Sequence, residues 1–487
     1  MTLTAAWSAH WRAAPQDVVL VDADTGRTYD GAEVERRSAA MAAGLHDRGI
    51  GHGDRVLLSC GPSIDTVLAY VAILRLGAVV VPANTAYTAG ELAHIVGDSR
   101  PVLAVVDDPE GWLGDQVPRE TPQGLVLEAA QGPADPAYLH AALDCADDSD
   151  VAMIGYTSGT TGRPKGAVLE HRSLRAGAEA LVEAWEWSVD DRLVHALPMF
   201  HMHGLGAAIN GTLTAGASMV VLPRFDPDAV VEAVRAHEAT LFFGVPTMYA
   251  RLRDAGRLRD LAGLRLLVSG SAPLDPSLFQ AISEQAGQAP IERYGMTETV
   301  MLTSNPVRGE RRAGSVGVPL PGVRVRLGDG GAVQVNGSNV FRGYWDRPDA
   351  TREAFTMDGW FRTGDIGELD DDGYLRLVGR ASDLIITGGY NVYPREVEDA
   401  ILTHPGVADV AVVGVPDDTW GERVIAFVVT RGDLASEGAE TEAALGAHIE
   451  PLLAPYKRPR AWSLVTELPR NAMGKVLRTA LTTHPHR

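Results

Sequence analysis

The 487-residue sequence is short of three things: cysteine, positive charge and long apolar runs. Only Cys60 and Cys145 are present. Two thiols at that spacing match no zinc pattern and cannot staple a chain of this length; they read as reduced thiols of a cytosolic protein. Lys and Arg total 43 against 63 Asp and Glu, for a net charge of -20. Such a surface repels DNA, RNA and anionic lipid, and no basic stripe offsets it, so no nucleic acid and no membrane is expected as a partner. Any anionic small ligand must be met by local cations. From Leu193 to Pro223 there is no Lys, Arg, Asp or Glu, but Pro198, Asn210, three histidines and four glycines interrupt the stretch. It lacks the run of about 20 apolar residues that spans a bilayer. It reads as buried structure: a Gly-rich helix near 204–214, then a strand near 218–222. The opening MTLTAAWSAHWRAAP has no basic n-region and no apolar h-region and does not read as a signal peptide. A cytoplasmic location is expected.

What is present is ordinary globular composition, 45% hydrophobic and 22% charged. At roughly 100–200 residues per domain, the length suggests two to four units. RVLLSC (55–60), AVVVP (78–82) and PVLAVVD (101–107) read as strands. They alternate with helix-like SIDTVLAYVAILRLG (63–77) and TAGELAHIVGDS (88–99). Short apolar runs between helices are what a parallel sheet covered on both faces demands. TLFFGVP (240–246) and LRLLVSGSAP (264–273) repeat the texture. Past about 315 the pieces turn hairpin-like, with GDGG and DDDG as turn signals. The expected class is α/β. A large N-terminal domain, 1–381, holds layered α/β subdomains and a β-rich subdomain, and a small α+β domain spans 382–487. The segment 431–442 reads as a surface loop.

One stretch carries chemistry on its face. YTSGTTGRPKGAV (156–168) packs hydroxyls at Thr157, Ser158, Thr160 and Thr161 around Gly159 and ends on Lys165. Backbone N–H groups on such a loop form a concave anion site, and the lysine adds a point charge suited to phosphate. The inference is a nucleoside triphosphate loop. It is not a Walker A loop, because no Gly-Lys-Ser/Thr stands at the required spacing. The plainer alternative is a Gly-rich turn between the strand VAMIGY and the helix HRSLRAGAEALVEAW.

The loop resembles the signature of the adenylate-forming superfamily, which holds acyl- and aryl-CoA synthetases, adenylation domains and beetle luciferases. Five further segments resemble its motifs in the same order: SGSAPL (269–274), RYGMTET (293–299), GWFRTGDIG (359–367), GRASDLIITGGYNVYPREVE (379–398) and PRNAMGKVLR (469–478). The resemblance spans essentially the whole chain and implies ATP, Mg2+ and coenzyme A as ligands. It implies Ser271, Ala272, Pro273, Tyr294, Gly295 and Met296 on the adenine side, with Tyr294 stacking on the base. It places Thr297 at the α-phosphate, Glu298 on Mg2+, Asp365 on the ribose hydroxyls and Arg380 beside them. Lys475 would bridge the carboxylate and the α-phosphate. Gly388, Gly389 and Tyr390 match the loop presented to the pantetheine arm after the small domain rotates. The hinge position falls on Ser382, where the family usually has Asp or Lys.

The chemistry agrees with these roles. A carboxylate is a poor electrophile because its leaving group would be oxide. Attack on the α-phosphate of ATP gives an acyl-adenylate, whose leaving group is AMP. Two anions must meet, so the site needs cations where charge builds. For the acid, PMFHMHGLG (198–206) brings His201 and His203, and Arg293 directly precedes Tyr294. With SGSAPL, which supplies Ser269, this set resembles malonyl-CoA synthetases. Arg293 could clamp a second carboxylate or pair with a protein carboxylate such as Glu292 or Glu310. His201 is the candidate to line the acid pocket or gate the thiol; His203 lines it too or is a satisfied buried histidine. The expected partners are a small dicarboxylate, malonate or methylmalonate, and CoA. Alternatives are a broader short- or medium-chain acyl-CoA synthetase, an adenylation enzyme loading a carrier protein, and a non-catalytic nucleotide-binding protein.

Overall fold

The computed structural model describes residues 2–112, 117–125, 143–157, 163–431, 438–470 and 475–482. The chain divides into two compact units, Met1–Val325 with Val335–Phe361, and Arg326–Gln334 with Arg362–Arg487. The mixed α/β class is as expected from the apolar runs.

Among the described residues the first unit holds two large sheets, in keeping with the layered α/β subdomains expected from the strand–helix alternation. In the first, the strands Gly343–Tyr344, Lys165–Glu170, Val151–Thr157, Val79–Pro82, Arg55–Ser59, Leu103–Val106 and Arg119–Glu120 lie in that order. In the second, Ile291–Tyr294, Leu266–Ser269, Leu241–Gly244, Arg192–His195 and Ser218–Val221 form consecutive parallel neighbours. Most of these strands are apolar and buried end to end. Each fully buried Val, Leu, Ile or Phe contributes roughly 1.5–3 kcal/mol by leaving water. The cluster Val194, Val220, Phe242, Tyr249, Leu267 and Ile282 is one such core.

KGAVLE is a strand, Lys165–Glu170, antiparallel to Val151–Thr157. The described ends of the candidate phosphate loop therefore stand in register, with Thr157 opposite Lys165. The tract 431–442 is not loop throughout, because a helix starts at Gly438 and runs to Ile449. Its Ala, Glu and Leu are strong helix formers, and that propensity wins over the polar composition. Residues 432–437 lie outside the described residues.

The Gly-rich stretch is helical, but it opens as a π-helix, His203–Ile209, that continues as an α-helix, Asn210–Ala215. A side chain on Gly204 would put its Cβ 2.1 Å from the carbonyl oxygen of Pro198. Only glycine fits there, and the wide turn carries His203 inward beside the second sheet.

In the second unit, Phe361–Leu369 and Leu375–Arg380 form an antiparallel hairpin with Asp365 opposite Arg380. A separate sheet carries the paired strands Val407–Asp417 and Gly421–Thr430, flanked by Ile385–Thr387 and Tyr390–Val392. Helix Pro394–Leu402 packs Val397 and Ile401 into this unit's core. Among the described residues no helix is long and apolar enough to cross a membrane.

Candidate active site

The strand pair holding the phosphate loop closes with the Thr157 hydroxyl donating to the Lys165 carbonyl at 3.4 Å. Ser158, Gly159, Thr160 and Thr161 lie outside the described residues. Thr297 sits against this ribbon: a Cβ on Gly155 would come within 2.5 Å of its Cγ2. Gly155 therefore makes the approach of Thr297 possible.

Glu298 is 4% exposed and accepts a hydrogen bond from the Tyr344 hydroxyl at 3.0 Å. The Lys165 ammonium stands 5.2 Å from the centroid of the same tyrosine ring, in cation–π range. Lys165, Thr297, Glu298 and Tyr344 thus converge on the loop's base. Tyr344 carried no signal in the sequence, since it lies far from every motif. Among the described residues no group of three or more His, Cys, Asp or Glu is placed to hold a metal alone. A single carboxylate still suits Mg2+, which keeps several waters and takes phosphate oxygens.

Tyr294 ends its strand buried, and its carbonyl accepts from Leu302 N–H at 2.9 Å. Gly295, Met296 and Thr297 follow in a turn that Thr299 N–H closes on the Met296 carbonyl at 3.0 Å. A Cβ on Gly295 would meet the Val300 carbonyl at 2.4 Å. On the facing strand end, Ser271 has φ +72°. That is a strained region for serine. Its hydroxyl lies 3.3 Å from His203 Nδ1, and Ala272 and the exposed Pro273 complete the turn.

Arg293 lies in this corner, 4% exposed, with Nε and Nη2 lacking any hydrogen-bond partner. The protein-carboxylate alternative does not hold. Glu292 accepts from Leu274 N–H at 3.0 Å, and Glu310 pairs with Arg312 at 2.9 Å. Among the described residues no carboxylate pairs with Arg293. A Cβ on Gly270 would sit 2.3 Å from its Cζ, so the glycine leaves room for the guanidinium. Ser269, fully buried, also has a hydroxyl without a partner. Burial alone pulls the guanidinium down to about 9.

Burial, and then the Arg293 charge, hold His201 down to about 4, and the same two causes push His203 well below the usual histidine range. His201 Nδ1 accepts from His203 N–H at 3.3 Å, so the neutral ring carries its proton on Nε2. His203 stacks on Phe243 at 6.3 Å and keeps Nε2 unpartnered, so it is not a fully satisfied core histidine. His195 and His171 are held at about 4 mainly by burial. The unfolded chain binds these protons near 6.5, so stability present above that pH is lost as pH falls toward 4. The urea midpoint is expected to drop between pH 7 and pH 5. The His195→Phe variant should show a smaller drop than wild type; an identical drop contradicts the assignment.

In the second unit, Arg380 Nε pairs with Asp365 Oδ1 at 2.9 Å, and Asp365 is 5% exposed. Thr363 sets the turn: its hydroxyl accepts from Asp365 N–H at 3.1 Å and donates to the Val333 carbonyl at 3.0 Å. Lys475 belongs to the same neighbourhood. Burial and then Arg380 lower its pKa, against the opposing pull of Asp383 and Asp365. Gly388 and Gly389, at φ +57° and +82°, make a two-residue hairpin turn that other residues resist. Tyr390 stands exposed and stacks on Tyr456 at 4.7 Å. Trp420 backs the turn, accepting from Gly388 N–H at 2.8 Å through its carbonyl. The sequence reading missed Tyr456 and Trp420. Ser382 bonds Asp383 Oδ1 at 3.0 Å within the turn Ala381–Asp383.

Residues 7–345 match the AMP-binding enzyme family, and residues 396–475 match the AMP-binding enzyme C-terminal domain. A mitochondrial malonate–CoA ligase of Mus musculus is 38% identical, over 94% of this chain and 87% of that protein. Feruloyl-CoA synthase of an Amycolatopsis species is 37% identical over 96% of each chain. The crystal structure of ATP-bound MatB from Rhodopseudomonas palustris superposes with a TM-score of 0.91 at 39% identity, covering 99% of this chain and 98% of that one.

Proposed function

The chain belongs to the AMP-binding enzyme family, and we propose that it ligates malonate to coenzyme A through a malonyl-adenylate. It is an AMP-forming acid–thiol ligase; the identity of the acid is the finer step. One observation carries it: Arg293 is a buried guanidinium with no carboxylate partner among the described residues. Leaving a charge buried and unpaired costs several kcal/mol. A substrate carboxylate distal to the reacting one removes that penalty, and the unpartnered Ser269 hydroxyl offers a donor beside it.

The reaction runs in two displacements. A malonate carboxylate oxygen attacks the α-phosphorus of ATP; the bond to the β-phosphate bridging oxygen breaks, and pyrophosphate leaves. The thiol sulfur of CoA then attacks the acyl carbon, loses its proton and expels AMP. The loop from Thr157 to Lys165 holds the β- and γ-phosphates. Tyr294 stacks on adenine, and Asp365, oriented by Arg380, accepts the ribose hydroxyls. Thr297 donates to the α-phosphate, and Lys475 neutralises the charge that builds between the two anions. Glu298 would hold Mg2+, which when bound neutralises triphosphate charge. His201, neutral, lines the acid pocket. Residues 1–381 serve as the ATP and acid domain. Residues 382–487 bring Lys475 to the first step and Gly388, Gly389 and Tyr390 to the second, turning at Ser382.

Methylmalonate adds one methyl, which shifts affinity by only about 1–3 kcal/mol, so it is accepted as well. The 37% identical feruloyl-CoA synthase favours a second reading, a monocarboxylate ligase. Pyrophosphate release with Mg-ATP and CoA separates the two. We expect release with malonate and methylmalonate and little with acetate, propionate, octanoate or ferulate. Equal release with any monocarboxylate would replace the dicarboxylate reading with a broader acyl-CoA ligase.

A further inference from the structure

The helix Ala89–Ser99 belongs to none of the motifs, yet it touches both ends of the phosphate loop. It starts with a capping box in which Thr88 N–H donates to Glu91 Oε2 at 2.8 Å and the Thr88 hydroxyl accepts from Glu91 N–H at 3.4 Å. Leu92, Ile95 and Ser99 are buried beneath it. His94 Nε2 lies 2.8 Å from the Pro164 carbonyl, which can only accept, so the ring donates. One turn later, Asp98 accepts from the Tyr156 hydroxyl at 2.8 Å and from Arg347 Nη2 at 2.7 Å. Positions i and i+4 share a helix face. Pro164 precedes Lys165, and Tyr156 precedes Thr157. The His94 ring also meets the Tyr156 ring edge-on at 6.3 Å.

Strand pairing supplies only part of this restraint. Strand Val151–Thr157 pairs with Val79–Pro82 at Met153, short of the loop. Toward the tip it runs on beside Lys165–Glu170, with Thr157 facing Lys165. That pairing sets the separation of the loop's ends but not the tilt of the ribbon against Thr297. On its other side Lys165–Glu170 pairs with the two-residue strand Gly343–Tyr344, and Trp345 N–H donates to the Gly166 carbonyl at 2.8 Å, so that edge is anchored as far as Gly166, whereas Tyr156 lies beyond the pairing with Val79–Pro82.

We propose that His94 and Asp98 are positioning residues that clamp the two ends of the phosphate loop to one rigid helix and so set the affinity for ATP. The inference rests on the proposed role of that loop in holding ATP. The test uses the full chain and reads ATP binding by titration calorimetry, together with KM for ATP and for malonate. His94→Phe removes the donor and keeps an aromatic ring. We expect about a tenfold weaker Kd and higher KM for ATP, the worth of one good hydrogen bond, with the KM for malonate unchanged. His94→Gln, whose amide can donate, recovers most of the loss. Tyr156→Phe frees the other end and moves ATP affinity the same way. Unchanged ATP affinity in both His94→Phe and Tyr156→Phe overturns the clamp. So does a parallel rise in both KM values with a lowered melting temperature, because that marks general destabilisation. Wild-type ATP binding without malonate ligation would sink the malonate reading alone, and the same variants would still decide the clamp.

Discussion

Lys475→Ala is expected to abolish pyrophosphate release from Mg-ATP and malonate while sparing thioester formation from preformed malonyl-adenylate and CoA. The first step joins a carboxylate to a phosphate, and both are anions. A cation aimed at the developing charge is worth most there; losing one such group costs about 10²–10³-fold in rate. The second step forms no new phosphate bond, so it has no such need. Arg380 does not substitute, since it is already committed to Asp365 at 2.9 Å. Acetylation of Lys475 would remove the same charge, so Lys475→Gln should behave like the alanine variant. Single-turnover assays of each half-reaction check this. An equal loss in both would contradict the assigned role.

Arg293→Met is expected to separate function from stability. For malonate, removing one partner of a buried charge pair costs about 2–5 kcal/mol, at least about 30-fold in kcat/KM. For propionate the same change should be neutral or favourable. The ligand-free protein should melt at a higher temperature. Burial pulls Arg293 down to about 9, well below the usual arginine range, so the folded state holds this proton less firmly than the unfolded chain does. Below about pH 9 the folded protein carries the whole penalty of an unpartnered buried charge, and stability recovers only as pH rises past that value. At pH 7 methionine removes the penalty and keeps an apolar volume. Malonate should raise the melting temperature of wild type and not that of the variant. A lower melting temperature with equal losses for propionate and malonate would make Arg293 a structural residue.

The roles proposed for the 156–168 loop, the Thr297-Glu298 pair, Asp365 and Lys475 came from the sequence because each lies in a short segment whose chemistry needs fixed residue types at fixed spacing. Capping boxes and glycine turns are local in the same sense. Thr88 and Glu91 announce their helix, and Gly388 and Gly389 announce their hairpin. The alternating apolar runs likewise announce buried parallel strands, since only a strand covered on both faces tolerates them.

Pairings across the chain were not legible. Tyr344 meets Glu298 from 46 positions away, and Tyr156 meets Asp98 from 58. Nothing in either segment names its partner; the order of strands in the sheet brings them together. The same holds for Gly155 and Gly270, whose missing side chains make room for Thr297 and Arg293. Arg293 makes the point most sharply. Its neighbours in sequence, Glu292 above all, offered a ready ion pair. The fold instead turns Glu292 to Leu274 N–H and leaves the guanidinium buried and open. Side-chain chemistry is a property of the residue, whereas burial and facing direction belong to the packed sheet, and burial is what turns an arginine into a demand for an anion.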